Sequence, residues 1–310
     1  MLAAANDLPP LTLTEAWKAH ARSMRAAGRS PHTLKGRKTA VEQLAALCEE
    51  HGVTPVVGIH LRAVVEAYLA HLLETQKPTV EETRFDQLHA FFGWLVHEEE
   101  LSERKNPLRL MERPAAPILP VKLIPDEDLV RLLRACKGKS FAELRDTAII
   151  RVLIDTGMRV GGLVSMQART ESLDLDRQKA EIRLKAGRII TVPLGAKTTE
   201  ALGRYLRVRV GRRVARAETA LWITDKGPLT ESGVAQMLTR RARQAGLAHI
   251  HPHLFRHTLA QWWMDKHASE EDLMEITGWT SRKVLERYTL NGRAERAHDM
   301  HRRIGPGDRV

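Results

Sequence analysis

The chain has 310 residues, of which 43% are hydrophobic and 28% charged, with a formal net charge of +11 and two cysteines. This composition is typical of a folded chain with room for two domains, and it excludes a disordered or disulfide-stapled protein. No apolar stretch is long enough to span a membrane, and the first residues lack the basic start of a secretion signal. We therefore expect a cytoplasmic protein with reduced thiols.

The positive charge is unevenly distributed. Residues 1–113 carry 14 Lys and Arg against 15 Asp and Glu, whereas residues 114–310 carry 35 against 23. Residues 18–38 nevertheless hold seven Lys and Arg and no acidic side chain. One-signed clusters favour a polyanionic partner, because phosphate binding releases condensed counterions. A solvated basic face is the plain alternative.

The first 113 residues predict a four-helix bundle. One helix is expected around Trp17, and a second begins after Ser30, an N-cap that proline follows at the first helical position. Apolar residues recur at helical spacing through residues 60–75. A capping box formed by Thr79 and Glu82 predicts the start of the fourth helix.

Five prolines between residues 107 and 125 forbid a continuous helix and predict a semi-rigid linker at 114–125. Period-two alternation over residues 172–194 then predicts a three-stranded antiparallel sheet. Helices are expected around this sheet at 126–136, 140–156, 198–210, 231–245, 253–267, 270–276 and 281–289. The predicted fold class is therefore mainly α with a small antiparallel β-sheet.

The segment HPHLFRHT, residues 251–258, could bind either a metal ion or a phosphate. His253 and His257 are four residues apart and can share a helix face. The zinc-protease pattern HExxH is absent because Leu254 replaces its glutamate, and Arg256 would repel a cation. Neither the P-loop GxxxxGKS/T nor the hydrolase motif GxSxG occurs in the chain. We therefore expect no metal site and no cofactor.

Six residues could supply the cations, donors and nucleophile for chemistry at a phosphate: Arg159, Lys185, His253, Arg256, Trp279 and Tyr288. A guanidinium such as that of Arg159, just after a helix-ending glycine, can bind two phosphate oxygens. A hydroxyl such as that of Tyr288 can act as a nucleophile. Taken singly, each residue has an ordinary structural alternative on the surface or in the core.

The order of these residues resembles the tyrosine recombinase, or phage integrase, family. TGMRVGGL is similar to the first arginine box, IRLKAGRIITVPL to the β-hairpin, HPHLFRHTLA to the His-x-x-Arg box, and TGWTSRKVLERYTL to the segment that ends in the tyrosine. SPHTLKGRK and FFGWLVHEEELSERKNPL resemble the helical core-binding domain. The resemblance covers about residues 12–295.

The resemblance implies a helical, SAM-like core-binding domain at 1–113, a linker at 114–125, and a mixed α/β catalytic domain with a C-terminal tail at 126–310. It further implies site-specific recombination of double-stranded DNA through a 3′-phosphotyrosyl intermediate. The expected assembly is a homotetramer on two recombination sites, with an accessory DNA-bending or directionality factor where the reaction needs one. The two domains are expected to close around the duplex.

Individual roles follow from the resemblance. Arg159 and Arg256 would clamp the scissile phosphate while Tyr288 attacks it. Lys185 would protonate the leaving 5′-oxygen. His253 would act as the base or orient the phosphate, and Trp279 would brace it. Contacts to DNA are expected from basic residues of the first domain: Arg29, Lys35, Arg37 and Lys38.

Two positions depart from the common family pattern. Trp279 replaces the usual histidine, as it does in Cre-like members. Gly162 replaces the glutamate of the Arg-x-x-Glu box, a change that would loosen Arg159 or be compensated from elsewhere. Two alternatives therefore stay open, namely a DNA-binding or architectural protein with a weakened site and a type IB topoisomerase-like enzyme.

The two ends of the chain bear on its arrangement. The core-binding bundle is expected almost from the first residue, without an arm-site-binding domain before it. This predicts either a simple Xer- or Cre-like arrangement or a small phage or mobile-element integrase without arm sites. The basic C-terminal tail would either dock on a neighbouring protomer or be a plain solvated end.

Overall fold

The computed structural model describes residues 11–57, 61–115, 122–183, 187–279, 282, 285, 293–305 and 307, with side chains of the last helix described from residue 297. The chain forms two compact units, Met1–Ile118 and Leu119–Val310. Among the described helices, none is both long and apolar enough to cross a membrane.

The first unit is a bundle of four helices followed by a 3-10 turn at Glu103–Lys105. The helices are α1 Leu13–Ala26, α2 Pro31–Glu50, α3 Arg62–Thr75 and α4 Pro78–His97. The Ser30 hydroxyl accepts a hydrogen bond from the Thr33 amide and caps α2, as predicted. The predicted apolar faces of the four helices form one core that includes Trp17, Leu44, Leu69 and Phe92.

The predicted start of α4 is wrong. The N-cap is Lys77, which makes no side-chain capping bond, and the helix begins at Pro78. Thr79 lies inside the first turn, where its carbonyl accepts a bond from the Thr83 hydroxyl. Proline suits the first helical position, and it holds the preceding residue in extended conformation, so it overrides the capping-box pattern.

The second unit surrounds a small sheet with helices, and the fold is mainly α, as predicted. Its helices are α5 Asp126–Arg134, α6 Phe141–Thr156, α7 Val160–Ser165, α8 Ala196–Arg209, α9 Glu231–Gln244, α10 Pro252–Asp265, α11 Glu270–Thr277 and α12 Arg293–Ile304. The predicted antiparallel sheet has the order β1-β2-β3, with β1 Leu173–Asp174, β2 Lys179–Arg183 and β3 Ile189–Pro193. A short pair that was not predicted joins β4 Ile223–Thr224 to β5 Gly227–Pro228. The helix predicted at 281–289 falls almost entirely outside the described residues.

Helix α6 forms the centre of the second unit. It begins with the predicted capping box of Ser140 and Glu143 and ends at Gly157, whose φ of 52° is left-handed. Five of its apolar residues are fully buried, namely Ala148, Ile149, Ile150, Val152 and Leu153. Helices α8 and α10 pack against it, and these contacts hold α6 within the unit.

Candidate active site

The most constrained side chain of the predicted set is Arg256, on α10. It is 4% exposed. Its two terminal nitrogens donate to the backbone carbonyls of Gly157, at 3.0 Å, and Thr277, at 3.1 Å. The guanidinium carbon lies 4.4 Å from the ring centroid of Trp279, a cation–π contact. Carbonyls and an aromatic face orient the guanidinium, as a phosphate-binding arginine requires.

Arg159 lies close to Arg256 in the fold because both are tied to the end of α6. Arg159 is the N-cap of α7 and is exposed. A Cβ on Gly157 would lie 3.1 Å from Cα of Arg256, so α6 ends directly against α10. The short helix that follows Arg159 is anchored to the core, because the Trp222 indole donates to the carbonyl of Leu163 at 2.9 Å.

His253 lies in the first turn of α10, three residues before Arg256 and on the same face. Partial burial lowers its pKa, and the positive charges of Arg256 and Arg159 lower the pKa further. The positive charges of Arg159 and Arg256 therefore both act on the imidazole of His253. A depressed pKa keeps the imidazole neutral at pH 7, so that one ring nitrogen can accept a proton.

Two more histidines continue this surface. The rings of His251 and His253 have centroids 6.3 Å apart, and those of His249 and His251 are 5.9 Å apart. Burial lowers the pKa of His251, and the two neighbouring histidines lower it further. Within the described ranges, no group of three His, Cys, Asp or Glu side chains could hold a metal ion.

Trp279 is both a core residue and a neighbour of the phosphate-binding arginine. It is 4% exposed and packs with Ala260, Met264 and Leu273 as part of a small core cluster. It directly follows Gly278, which ends α11 with a left-handed φ of 67°. The same ring lies beneath Arg256, so the cluster that buries Trp279 also supports the guanidinium.

Comparison with known proteins decides the family. The sequence model described as "Phage integrase family" matches residues 122–294, more than half of the chain. The chain belongs to the phage integrase family. Tyrosine recombinase XerC 2 of Ralstonia nicotianae is similar to it, with 27% identity over 300 residues that cover 92% of this chain and 84% of the relative.

Two solved structures share the fold. The integrase of transposon Tn1549, in complex with transposon right end DNA, has a TM-score of 0.71 at 17% identity and covers 95% of this chain and 100% of its own. A lambda integrase tetramer bound to a Holliday junction has a TM-score of 0.66 at 16% identity, covering 90% and 84%. The family match and the XerC relative, together with this fold, make the chain a tyrosine recombinase, an enzyme of site-specific DNA recombination.

Two predicted residues of this recombinase, Lys185 and Tyr288, lie outside the described residues, and their placement stays a prediction. The strands on either side of the Lys185 loop are described. They pair antiparallel up to the partners Arg183 and Ile189, so the hairpin that the family resemblance implies is present around the loop.

The structure also shows what surrounds Gly162. Among the described atoms, a Cβ at Gly162 would meet Cδ1 of Ile182 alone, at 3.6 Å, an ordinary contact. One residue earlier, a Cβ at Gly161 would lie 3.1 Å from Oε1 of Glu231. A carboxylate from the first turn of α9 therefore reaches the turn that begins at Arg159. The sequence did not indicate Glu231, because it lies about seventy residues further along the chain.

The four basic residues predicted to contact DNA all lie at or near α2. Arg29 is exposed just before the helix, and Lys35 and Lys38 are exposed on it. Lys38 forms a 3.4 Å ion pair with Glu42. Arg37 is half-buried. It contacts His20 of α1, a partner that the sequence did not lead us to expect. The sequence signal was a histidine at position 20, on the otherwise apolar face of α1.

Proposed function

We propose that this recombinase cuts and rejoins duplex DNA through a 3′-phosphotyrosyl intermediate formed on Tyr288. The observation that carries the proposal is the guanidinium of Arg256. It is buried and is oriented by two carbonyls and an indole ring. Its positive charge and that of Arg159 both lower the pKa of His253. Such a preorganised cationic site suits the charge of a pentacoordinate phosphorus transition state.

The environment of the other tyrosines supports Tyr288 as the nucleophile. The chain has three tyrosines. The buried Tyr68 donates its hydroxyl to Oε1 of Gln43 at 2.8 Å, and the buried Tyr205 donates to the carbonyl of Leu221 at 2.9 Å. Burial raises the pKa of both hydroxyls. A buried, hydrogen-bonded phenol cannot reach a DNA phosphate, which leaves Tyr288.

The proposed reaction balances without a cofactor. The Tyr288 oxygen attacks the phosphorus while the bond to the 5′-oxygen breaks, and the neutral His253 takes the phenolic proton. Lys185 gives a proton to the leaving 5′-oxygen, and Arg159 and Arg256 hold the nonbridging oxygens. The phosphotyrosyl bond conserves the energy of the phosphodiester, so a 5′-hydroxyl of another strand can reverse the step without ATP.

We assign binding of the core site to residues 1–113, the linker to 114–125 and catalysis to 126–310. The division of the chain into two compact units supports this assignment. The lambda integrase neighbour is a tetramer on a Holliday junction, and we propose that this chain likewise works as a homotetramer on two sites. We place the reaction in the cytoplasm, with an accessory DNA-bending or directionality factor where one direction is favoured.

Covalent capture tests the nucleophile and identifies the target site together. The full chain is incubated with sheared, nicked DNA of the organism that encodes it, the mixture is denatured, and protein-linked DNA is sequenced. Attachment at one recurrent sequence is expected. It should disappear in Tyr288→Phe and persist in Tyr68→Phe, a matched loss of one phenolic hydroxyl, and in excess EDTA.

Each alternative predicts a different outcome. DNA binding without tyrosine-dependent attachment would favour a weakened site on the same fold. Attachment at unrelated sequences, together with relaxation of supercoiled DNA by the monomer, would favour a type IB topoisomerase-like enzyme. Loss of attachment in EDTA would contradict the cofactor-free mechanism.

A further inference from the structure

A histidine lies at the centre of an aromatic cluster in the first unit. His20, on α1, is 3% exposed. Its ring centroid is 5.8 Å from that of Trp17, 5.8 Å from that of Phe91 and 4.7 Å from that of Trp94. An apolar side chain would fill this position more favourably, since a buried imidazole must have its polar atoms satisfied.

The polar partner of His20 is Arg37, on α2. Nε2 of His20 lies 3.0 Å from a terminal nitrogen of Arg37. Because a guanidinium only donates, Nε2 must be the acceptor and Nδ1 must carry the proton. Among the described residues, Nδ1 is buried without a hydrogen-bond partner. A buried donor left without a partner costs stability, which is expected where the other nitrogen has a function.

The histidine holds the arginine without neutralising it. Burial lowers the pKa of His20 to about 4, and the charge of Arg37 contributes to the shift, so the ring is neutral at pH 7. Arg113, in the same unit, shows the opposite arrangement, since its guanidinium donates to the carboxylates of Asp86 and Glu82. Arg113 is therefore compensated in charge, whereas Arg37 keeps its full positive charge.

The positive charge of a second residue, Arg29, acts on Arg37. Burial lowers the pKa of Arg37, and the charge of Arg29 lowers it further. Within the described part of the chain, neither arginine forms an ion pair with a carboxylate. The thioether of Met24 lies 3.5 Å from the same Arg37 nitrogen, which further restricts the guanidinium. Arg37, which is fixed in place, and Arg29 can therefore both attract an anion.

We propose that Arg37, flanked by Arg29, is a preformed binding site for a phosphate of the DNA backbone, and that His20 is its positioning residue. The inference rests on the proposed function, because it requires that the chain bind duplex DNA. A guanidinium presents paired donors to a phosphate. One terminal nitrogen of Arg37 is engaged by His20, and the other nitrogens have no hydrogen-bond partner among the described residues. Such a contact fixes the register of the first unit on DNA and carries no base specificity.

Salt-dependent DNA binding tests this site. The full chain is titrated with a duplex that carries the sequence found by covalent capture, over a series of salt concentrations. Removing one phosphate contact should reduce the slope of log K against log salt by about 0.9. We expect this reduction for Arg37→Gln and for His20→Met, with no further reduction in the double variant because His20 acts through Arg37.

Two controls separate positioning from folding. His20→Gln keeps an acceptor at a similar reach and should retain the wild-type slope, whereas His20→Asn is too short and should lose it. Arg62→Gln removes the same charge from a residue that is paired with Glu66, and its slope should stay unchanged. Thermal unfolding of each variant confirms that the compared proteins are folded. If His20→Met does not fold, the Gln and Asn variants decide.

The outcomes distinguish this inference from the proposed function. If the wild-type chain binds its duplex and Arg37→Gln keeps the wild-type slope, the phosphate site is wrong and the proposed function stands. If Arg37→Gln loses slope but His20→Met and His20→Asn do not, the positioning role is wrong. If the wild-type chain binds no duplex at all, the proposed function fails together with the inference.

Discussion

Buried arginines lie at both ends of helix α6, and their hydrogen-bond partners differ between the two ends. Near its start, Asp146 is fully buried and accepts bonds from Arg145 at 2.7 Å and Arg241 at 2.8 Å. At its other end, Arg256 donates to the carbonyls of Gly157 and Thr277. At one end a carboxylate binds two guanidinium groups, and at the other two backbone carbonyls orient a guanidinium group.

This difference separates structural from functional arginines. The Asp146 cluster joins α6 to α9 and uses its guanidinium charge for the fold. Arg256 instead gives one hydrogen bond from each terminal nitrogen to a backbone carbonyl, which orients the guanidinium for a phosphate. In the first unit, Arg113 and Arg37 repeat the contrast, with two carboxylates around one and a neutral histidine beside the other.

The largest effect is expected at the carboxylate end. Asp146→Ala leaves Arg145 and Arg241 buried without their counter-charge, which should reduce the free energy of unfolding by about 3–5 kcal/mol. Urea denaturation measures the change. The matched variant Arg240→Gln removes a half-exposed partner of the same carboxylate and should cost less than about 1 kcal/mol. Equal losses in the two variants would contradict the comparison.

At the carbonyl end, activity should suffer more than stability. Arg256→Lys keeps the charge but loses the planar fork that bridges Gly157 and Thr277. We expect the rate of covalent attachment to DNA to fall about 10²–10³-fold. Arg243→Lys, an exposed change on α9, serves as the control. A drop in unfolding temperature large enough to account for the lost rate would place Arg256 with the structural arginines instead.

The histidine-held arginine predicts a pH dependence. Because the folded pKa of His20 is lowered to about 4, the stability it contributes is complete above the unfolded value of about 6.5 and is lost as the pH falls towards 4. Between pH 7.5 and pH 5 the loss should be about 2 kcal/mol. Comparison with His20→Gln isolates this part, since His251 and His253 also have lowered pKa values. Identical pH profiles for the two proteins would refute the assignment.

The smallest effects concern the glycines that flank Arg159. A Cβ on Gly157 would lie 2.9 Å from Leu259 Cδ2, on a backbone with φ of 52°. Gly157→Ala should therefore cost about 1–2 kcal/mol and shift the carbonyl that holds Arg256. Gly162→Ala, where the Cβ has ordinary contacts, should be neutral or stabilise α7 by up to about 1 kcal/mol. Thermal unfolding and the attachment assay check both, and a stabilising Gly157→Ala would contradict this packing.

Local features were predictable because they depend on neighbours in sequence. Ser30 and Ser140 cap helices through bonds that span three residues, and Gly157 ends α6 through its own conformation. The start of α4 was missed because two local signals competed, and the proline at 78 overrode the capping pattern at Thr79.

The sequence by itself determined most helices, the three-stranded sheet and the family, because periodicity, caps and motifs are carried by nearby residues. Tertiary structure decided which charges are compensated. Arg256 finds carbonyls 99 and 21 residues away, and Arg37 finds His20 17 residues away. A guanidinium looks the same in every sequence motif, and only the packing of helices determines whether its partner is a carboxylate, a carbonyl or a neutral ring.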